Sequence, residues 1–284
     1  MTHKVMFQGT SSGAGKTTLA ALLCRHLAQE GAKVAPFKAL NLSLNSFVTS
    51  DGKEIGIAQA FQALAAGVEP RVEMNPILLK PSGDGTMQLV LEGRPFMELC
   101  RGAKGPPKEE LTRSIKGSIG TLEMEFDALV IEGSGSPVEI NLRNRDLANM
   151  RTAELAHCPV ILVGDIDKGG VFAGLYGTYH LLKAKHRKML RGFIINRFRG
   201  DSSILRPGIE EMERRMRIPC LGVVPMVEVH LPGEDSLALR NGKGRQGGAK
   251  DARKAWMQEL DRLLQSVRKD LDMDGVLEVM RDGL

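Results

Sequence analysis

The sequence predicts an α/β protein, a mostly parallel sheet with helices on both faces, and three observations carry that expectation. An apolar run, Val5–Phe7, passes directly into the glycine-rich segment Gly9–Gly15 and then into a helical period. Four later apolar runs, Ala128–Glu132, Pro159–Val163, Gly192–Asn196 and Cys220–Val224, are separated by helical segments, the alternation expected of buried parallel strands joined by crossovers. Most strand-like runs end in, or pass into, polar, Gly or Pro residues (Gly9, Lys38, Gly133, Gly164, Asn196, Pro225), and ligands sit at strand ends of that kind.

Taken in order, the first strand and glycine loop lead into a helix over Thr17–Glu30, with Leu19, Leu22, Leu23 and Leu27 at helical spacing and Gly31 as its stop. Val34–Lys38 is expected as a second strand, Glu54–Ala66 as an Ala-rich helix ended by Gly67, and Leu89–Leu91 as a third strand. After His230 the texture changes. Arg240–Ala249 is polar and Gly-rich, as a linker is, and Asp251–Val267 resumes a helical period through Trp256, Leu260, Leu263 and Leu264. Val276–Met280 adds a last turn or two. The expected organisation is a main domain over 1–238, a linker over 239–250 and a helical tail over 251–284 that docks or joins.

Composition narrows the classes. A chain of 284 residues, 42 % hydrophobic and 26 % charged, can bury a full core. The net charge of +5 is concentrated in Arg101–Lys108, Lys183–Arg191 and Arg240–Lys254. No aromatic or Arg-rich groove motif accompanies these clusters, so they read as solvated surface, with neither nucleic acid nor membrane as partner. The N-terminus lacks the basic and apolar regions of a signal peptide, and no apolar stretch approaches the roughly 18 residues of a membrane span. The expectation is a cytoplasmic protein. Cys24, Cys100, Cys158 and Cys220 form no Cys-x-x-Cys pair and read as small, reduced apolar residues. The histidines show no metal spacing, and Gly-x-Ser-x-Gly is absent, so a hydrolase triad has no support.

The chemistry begins at Gly9-Thr-Ser-Ser-Gly13-Ala14-Gly15-Lys16-Thr17-Thr18, between the first strand and helix. Such a P-loop turns backbone N–H groups toward phosphate oxygens, its Lys offsets β/γ-phosphate charge and its Thr hydroxyl ligates Mg²⁺. The expected ligand is therefore ATP with Mg²⁺, held by Gly13, Ala14, Gly15, Lys16, Thr17 and Thr18. The match is not strict: five residues rather than four separate Gly9 from Gly15, and Thr10 stands where the strict motif has its first Gly. Glu132, at the end of an apolar strand and followed by Gly-Ser-Gly-Ser, is either a Mg²⁺ contact beside that loop or a strand-end acid capping the next turn. Lys38 ends the second strand, where its ammonium suits a transferring phosphoryl group or a substrate carboxylate. Asp51 and Glu54 are further metal candidates, with a plain turn at Asp51-Gly52 and a first-turn helix acid at Glu54 as the alternatives.

These residues carry a resemblance. Val5–Lys16 resembles the modified P-loop of the family of dethiobiotin synthetase and the cobyrinic and cobyric acid amide synthetases. Further strings are similar to the cobyric acid synthases within it: Asn41-Leu-Ser-Leu-Asn-Ser, Gly52-Lys-Glu-Ile-Gly-Ile-Ala-Gln, Met74-Asn-Pro-Ile-Leu-Leu-Lys-Pro, Glu132-Gly-Ser-Gly-Ser-Pro-Val-Glu-Ile-Asn-Leu, Val163-Gly-Asp-Ile-Asp-Lys-Gly-Gly and Gly192-Phe-Ile-Ile-Asn-Arg. The resemblance implies a dethiobiotin synthetase-like fold and ATP-dependent amidation of corrin carboxylates through an acyl phosphate, in cobalamin biosynthesis. It implies catalytic roles for Lys16, Lys38 and Glu132, an adenine contact for Asn196, and substrate or phosphate contacts for Asn41, Asn45, Ser46, Lys80 and Asp165. A homodimer is implied by the dethiobiotin synthetase analogy. The chain departs from the family in Lys38-Ala39-Leu40-Asn41, where Lys-Pro-Gln-Asn is usual, and in lacking the glutaminase domain that follows in full-length members. The expectation is then ammonia from a separate glutaminase subunit or from free ammonium, or else a truncated gene product. The competing readings are an amidoligase for another tetrapyrrole and a partition-type switch ATPase. The latter usually carries a second Lys early in its P-loop, where this chain has Gln8 and Gly9-Thr10.

Overall fold

The computed structural model describes residues 2–83, 85–100, 105–142, 146–228 and 246–284. In chain order the elements begin with β1 (His3–Gly9), α1 (Lys16–Gln29), β2 (Val34–Phe37), β3 (Leu40–Leu42), β4 (Ser46–Val48), β5 (Glu54–Gly56) and α2 (Ile57–Ala65). β6 (Ile77–Gly83), β7 (Thr86–Leu91), β8 (Arg94–Leu99), α3 (Lys108–Glu125), β9 (Ala128–Glu132), α4 (Met150–Ala156) and β10 (Val160–Asp165) follow. The rest is α5 (Val171–Leu181), α6 (Ala184–Arg187), β11 (Leu190–Phe198), α7 (Arg206–Met216), β12 (Cys220–Pro225), α8 (Gln246–Val267) and α9 (Met273–Asp282). Two compact units result. One is built mainly from Ala21–Leu129, the other from His3–Ala20, Val130–Glu228 and Leu264–Leu284.

The second unit holds the parallel sheet, with strands in the order β12-β11-β10-β1-β9. The pairs β1–β10, β10–β11 and β11–β12 are all parallel. Val160–Val163 and Phe193–Ile195 are fully buried, as strands covered on both faces must be. β1 lies between β9 and β10, so the chain departs to either side of it, and the carboxyl end of β1 opens into a crevice at that switch point. The glycine loop occupies it. α9 buries Val276 and Met280 and caps itself through the Asp272 carboxylate, which accepts from Gly275 N–H at 2.9 Å.

The other unit carries a four-stranded sheet, β3-β6-β7-β8, in which only β3–β6 is parallel. Leu89–Leu91, expected as a strand of the parallel set, belongs here instead, in β7. The β7–β8 turn is the two-residue Glu92-Gly93, both at positive φ (50° and 77°), the twist that suits a tight hairpin. A Cβ at Gly93 would lie 2.5 Å from Lys53 Cβ, so both the conformation and the crowding demand glycine. The helix expected over Glu54–Ala66 starts later. Glu54–Gly56 is extended and pairs with Ser46–Val48 as a hairpin, burying Phe47 and Ile55 against Ala60 and Val72. The alternation around Ile55 was concealed by the Ala-rich helical period that follows it.

α8 shows the tail docked within this unit. Trp256 is buried, donates from Nε1 to Phe61 O at 3.2 Å and meets the Phe61 ring edge-on at 5.2 Å. Asp261 receives both Nε and Nη2 of Arg25, at 2.7 and 3.0 Å. Residues 239–245 of the expected linker lie outside the described residues, and Gln246–Lys250 already belong to α8. No helix among the described residues is long and apolar enough to cross a membrane.

Candidate functional site

The glycine loop is shaped by contacts that exclude side chains. Gly13 and Gly15 have φ of 74° and 96°, in the left-handed region. A Cβ at Gly15 would fall 1.9 Å from Asn196 Nδ2, and one at Gly9 would fall 2.7 Å from Ser11 O and 2.8 Å from Lys16 Nζ. The loop hands the chain to α1 at Lys16, so the unpaired N–H groups of the first helical turn, Thr17 and Thr18 included, open toward the loop's concave side. Lys16 is buried, and its ammonium donates to Ser11 O and Gly135 O, each at 3.2 Å. Carbonyls thus hold this cation at the glycine loop, the position from which the lysine of a phosphate loop meets phosphate.

Thr17 and Glu132, far apart in sequence, meet at 2.8 Å through Thr17 Oγ1–H and Glu132 Oε1. Glu132 ends β9 and is 1 % exposed. A hydroxyl and a carboxylate side by side at the mouth of a phosphate loop are hard oxygen donors of the kind Mg²⁺ takes together with phosphate and water. Among the described residues there is no cluster of three His, Cys, Asp or Glu able to hold a metal by itself, so such an ion would depend on the nucleotide for the rest of its shell.

Asn196 and Asp165 sit level, as register partners at the carboxyl ends of β11 and β10. The Asn196 amide donates to Ala14 O at 2.9 Å and thus ties the loop to the sheet. Asp165, its side chain 2 % exposed, accepts from Arg197 Nη1 at 2.9 Å and from Asp167 N–H at 3.0 Å. Arg197 reaches it from a left-handed backbone (φ 64°), where the β11–β12 register shifts.

In the other unit the expected substrate residues divide. Lys38 and Asn41 are buried, each hydrogen-bonded to a buried amide side chain. Asn75 Nδ2 donates to Lys38 O (2.9 Å) and Ile77 O (3.1 Å), Asn75 Oδ1 accepts Gly56 N–H (2.8 Å), and Asn41 Nδ2 donates to Gln59 Oε1 (2.9 Å). Asn45 is exposed, and Ser46 opens β4. Lys80 pairs with Glu54 at 2.8 Å. Glu54 is therefore an ion-paired strand residue rather than a first-turn helix acid. Asp51 lies in the β4–β5 turn, exposed, where the Thr49 hydroxyl and then the Lys53 ammonium hold its carboxyl below the usual range. The four cysteines are free, but Cys100 is exposed rather than buried with apolar residues.

Gln59, Asn75, Asn149 and Lys168 take positions here that no motif in the sequence announces. Asn149 holds the loop after Glu132: it accepts Ser134 N–H at 3.1 Å and donates to Ser134 O and Ser136 O at 2.8 and 3.3 Å, framing the Gly135 carbonyl that binds Lys16. Gln59, Asn75 and Lys168 stand inside strings that carry the family resemblance, and those strings were the available signal.

Residues 5–236 match the model of the CbiA family, described as the CobQ/CobB/MinD/ParA nucleotide binding domain. The cobyric acid synthase of Salmonella gallinarum is 51 % identical over 251 residues, 88 % of this chain and 50 % of that protein. That of Salmonella typhimurium is 50 % identical over the same shares. The chain spans about half the length of the curated relatives it matches. Among solved structures, the MinD cell division protein of Aquifex aeolicus superposes with a TM-score of 0.46 at 15 % identity, over 93 % of this chain and 97 % of that one. The chain belongs to the CobQ/CobB/MinD/ParA nucleotide binding domain family, and within it is similar to the cobyric acid synthases.

Proposed function

We propose that the chain catalyses ATP-dependent amidation of corrin side-chain carboxylates, converting adenosylcobyrinic acid a,c-diamide toward adenosylcobyric acid. The observation that carries this reading is the meeting of Lys16, Thr17 and Glu132 around the glycine loop, in a chain about half identical to proteins named cobyric acid synthase. A substrate carboxylate oxygen attacks the γ-phosphorus, the bond to the ADP oxygen breaks, and an acyl phosphate forms. Ammonia then adds to the acyl carbon, phosphate leaves with the electron pair, and a proton passes to water. No protein nucleophile is needed, and the protein's task is to position the reactants and offset developing charge.

In this reading Lys16 neutralises the β- and γ-phosphates, Thr17 and Glu132 hold Mg²⁺, and Asn196, at its strand end, contacts the adenine. The ion would screen phosphate charge. Lys38, Asn41, Asn45, Ser46, Lys80 and Asp165 are proposed to meet substrate or phosphate. Assembly as a homodimer belongs to the same proposal.

The test is ADP release with Mg·ATP and adenosylcobyrinic acid a,c-diamide, comparing ammonium, glutamine and neither, with mass spectrometry of the corrin. Corrin gaining amides with ammonium but not glutamine fits a synthetase served by a separate glutaminase. Lys16→Ala is expected to abolish turnover. Undiminished amidation by that variant, or no corrin-dependent ADP from folded protein that binds ATP, would overturn the reading.

A further inference from the structure

We propose that Lys168 is a second phosphate-contacting cation of the nucleotide site, reaching the terminal phosphoryl group of a bound nucleoside triphosphate from the loop after β10. The inference rests on the nucleotide-binding part of the reading above and on no part of the corrin chemistry.

Lys168 Nζ lies 3.8 Å from the position a Cβ would take on Gly13, and no other heavy atom outside the adjacent chain comes within 4 Å of that point. The ammonium thus faces the exposed Ser12-Gly13 side of the glycine loop. Carboxylates are close to it in sequence, yet both are engaged by guanidinium groups. Asp165 pairs with Arg197 at 2.9 Å and Asp167 with Arg199 at 3.0 Å. Among the described residues Lys168 has no ion pair. A cation whose neighbouring acids are already neutralised, held against a backbone suited to anions, is arranged for an anion that arrives from outside.

The loop that carries Lys168 is anchored at both ends. Before it, β10 is in register with β1, and Thr10 N–H donates to Val163 O at 2.9 Å. After it, Gly169 and Gly170 turn the chain at φ 76° and 68°, and Gly169 N–H donates to Ile166 O at 3.0 Å. α5 then starts, and its Gly174 stands so close to Thr10 that a Cβ there would touch the threonine side chain at 3.6 Å. Position 168 is therefore set relative to the glycine loop by strand register and helix packing, while its side chain stays exposed.

Which phosphate it meets follows from the other donors. The N–H groups at the start of α1 serve the inner phosphates, and Lys16 already spans from α1 to Ser11. Gly13 precedes that helical turn, so a cation on its side meets the outer end of the phosphate chain. Lys16 and Lys168, from different elements, then both reach the terminal phosphoryl group.

The test is calorimetric titration of the full chain with Mg²⁺ and either β,γ-imido-ATP or ADP, for the native protein, Lys168→Ala and Lys168→Arg. Losing one charge-assisted contact weakens binding by ~10-fold or more. Lys168→Ala is expected to weaken the triphosphate analogue by that factor and to leave ADP within ~2-fold, with Lys168→Arg restoring most of the loss. Equal weakening of both nucleotides, or no change in either, would overturn the proposal. Because the readout is binding, absence of corrin amidation leaves it intact. The position is exposed, so the substitution does not threaten the fold.

Discussion

The glycine loop, part of it open to solvent, and the buried amides around Asn75 are both polar structures, but they are made in opposite ways. The loop draws much of its geometry from adjacent residues, glycines that tolerate the backbone and a lysine that folds back over it, while Asn196, Gly135, Glu132 and Val163 meet it from afar. The buried amides have almost nothing local. Asn41, Gly56, Gln59 and Asn75 come from β3, β5, α2 and the turn before β6, and each amide is useful only because the register delivers its partner. A motif that satisfies its own backbone can be read from a string of residues. A cluster that satisfies the backbones of others cannot.

Three substitutions probe that contrast. The largest effect is expected from Gly15→Ala, which places a methyl 1.9 Å from the Asn196 amide at a φ of 96°. The loop must open, with loss of stabilisation by Mg·ADP in a thermal-shift assay and a stability cost of roughly 1–3 kcal/mol. A variant still stabilised as the native protein is would show that the loop's shape does not depend on this approach. Next comes Asn75→Ala, which strands the Gly56 N–H and the Lys38 carbonyl in buried surroundings. Denaturant unfolding is expected to show a loss of about 1–2 kcal/mol. A change under about 0.5 kcal/mol would mean that these hydrogen bonds are replaceable, and the contrast would fail. The smallest effect belongs to Lys80→Ala. The Lys80–Glu54 pair is a quarter exposed, at 25 % and 28 %, so its loss should cost under about 1 kcal/mol. A fall in corrin turnover without a fall in stability would then place Lys80 at the substrate rather than in the scaffold.

Legibility followed the same division. Lys16, Thr17 and Glu132 stand out in the sequence because strand, glycine loop and strand-end acid are patterns with a direct physical meaning, and the structure brings the Thr17 hydroxyl and Glu132 carboxylate within hydrogen-bond reach. Asn149 was missed because nothing in Asn149 or its neighbours announces that it holds Ser134 and Ser136. The hairpin at Glu54–Gly56 was missed because three extended residues are too short to show alternation before a helix begins. The antiparallel sheet was missed for a related reason: its turn is Glu92-Gly93, without the Asn or Asp that usually marks a two-residue hairpin.

By itself the sequence determined the alternation of strand and helix, the place of the glycine loop between them and the residue types that phosphate and Mg²⁺ require. Periodicity, glycine and chain order suffice for these, since each depends on neighbouring residues. Tertiary structure alone decided which carboxylates are engaged and which cations are left facing the loop. Asp165 and Asp167 are claimed by Arg197 and Arg199 across the β10–β11 edge, and Lys168 is left toward Gly13. Charge pairing depends on distances of a few ångströms between segments some thirty residues apart, and only packing sets those distances.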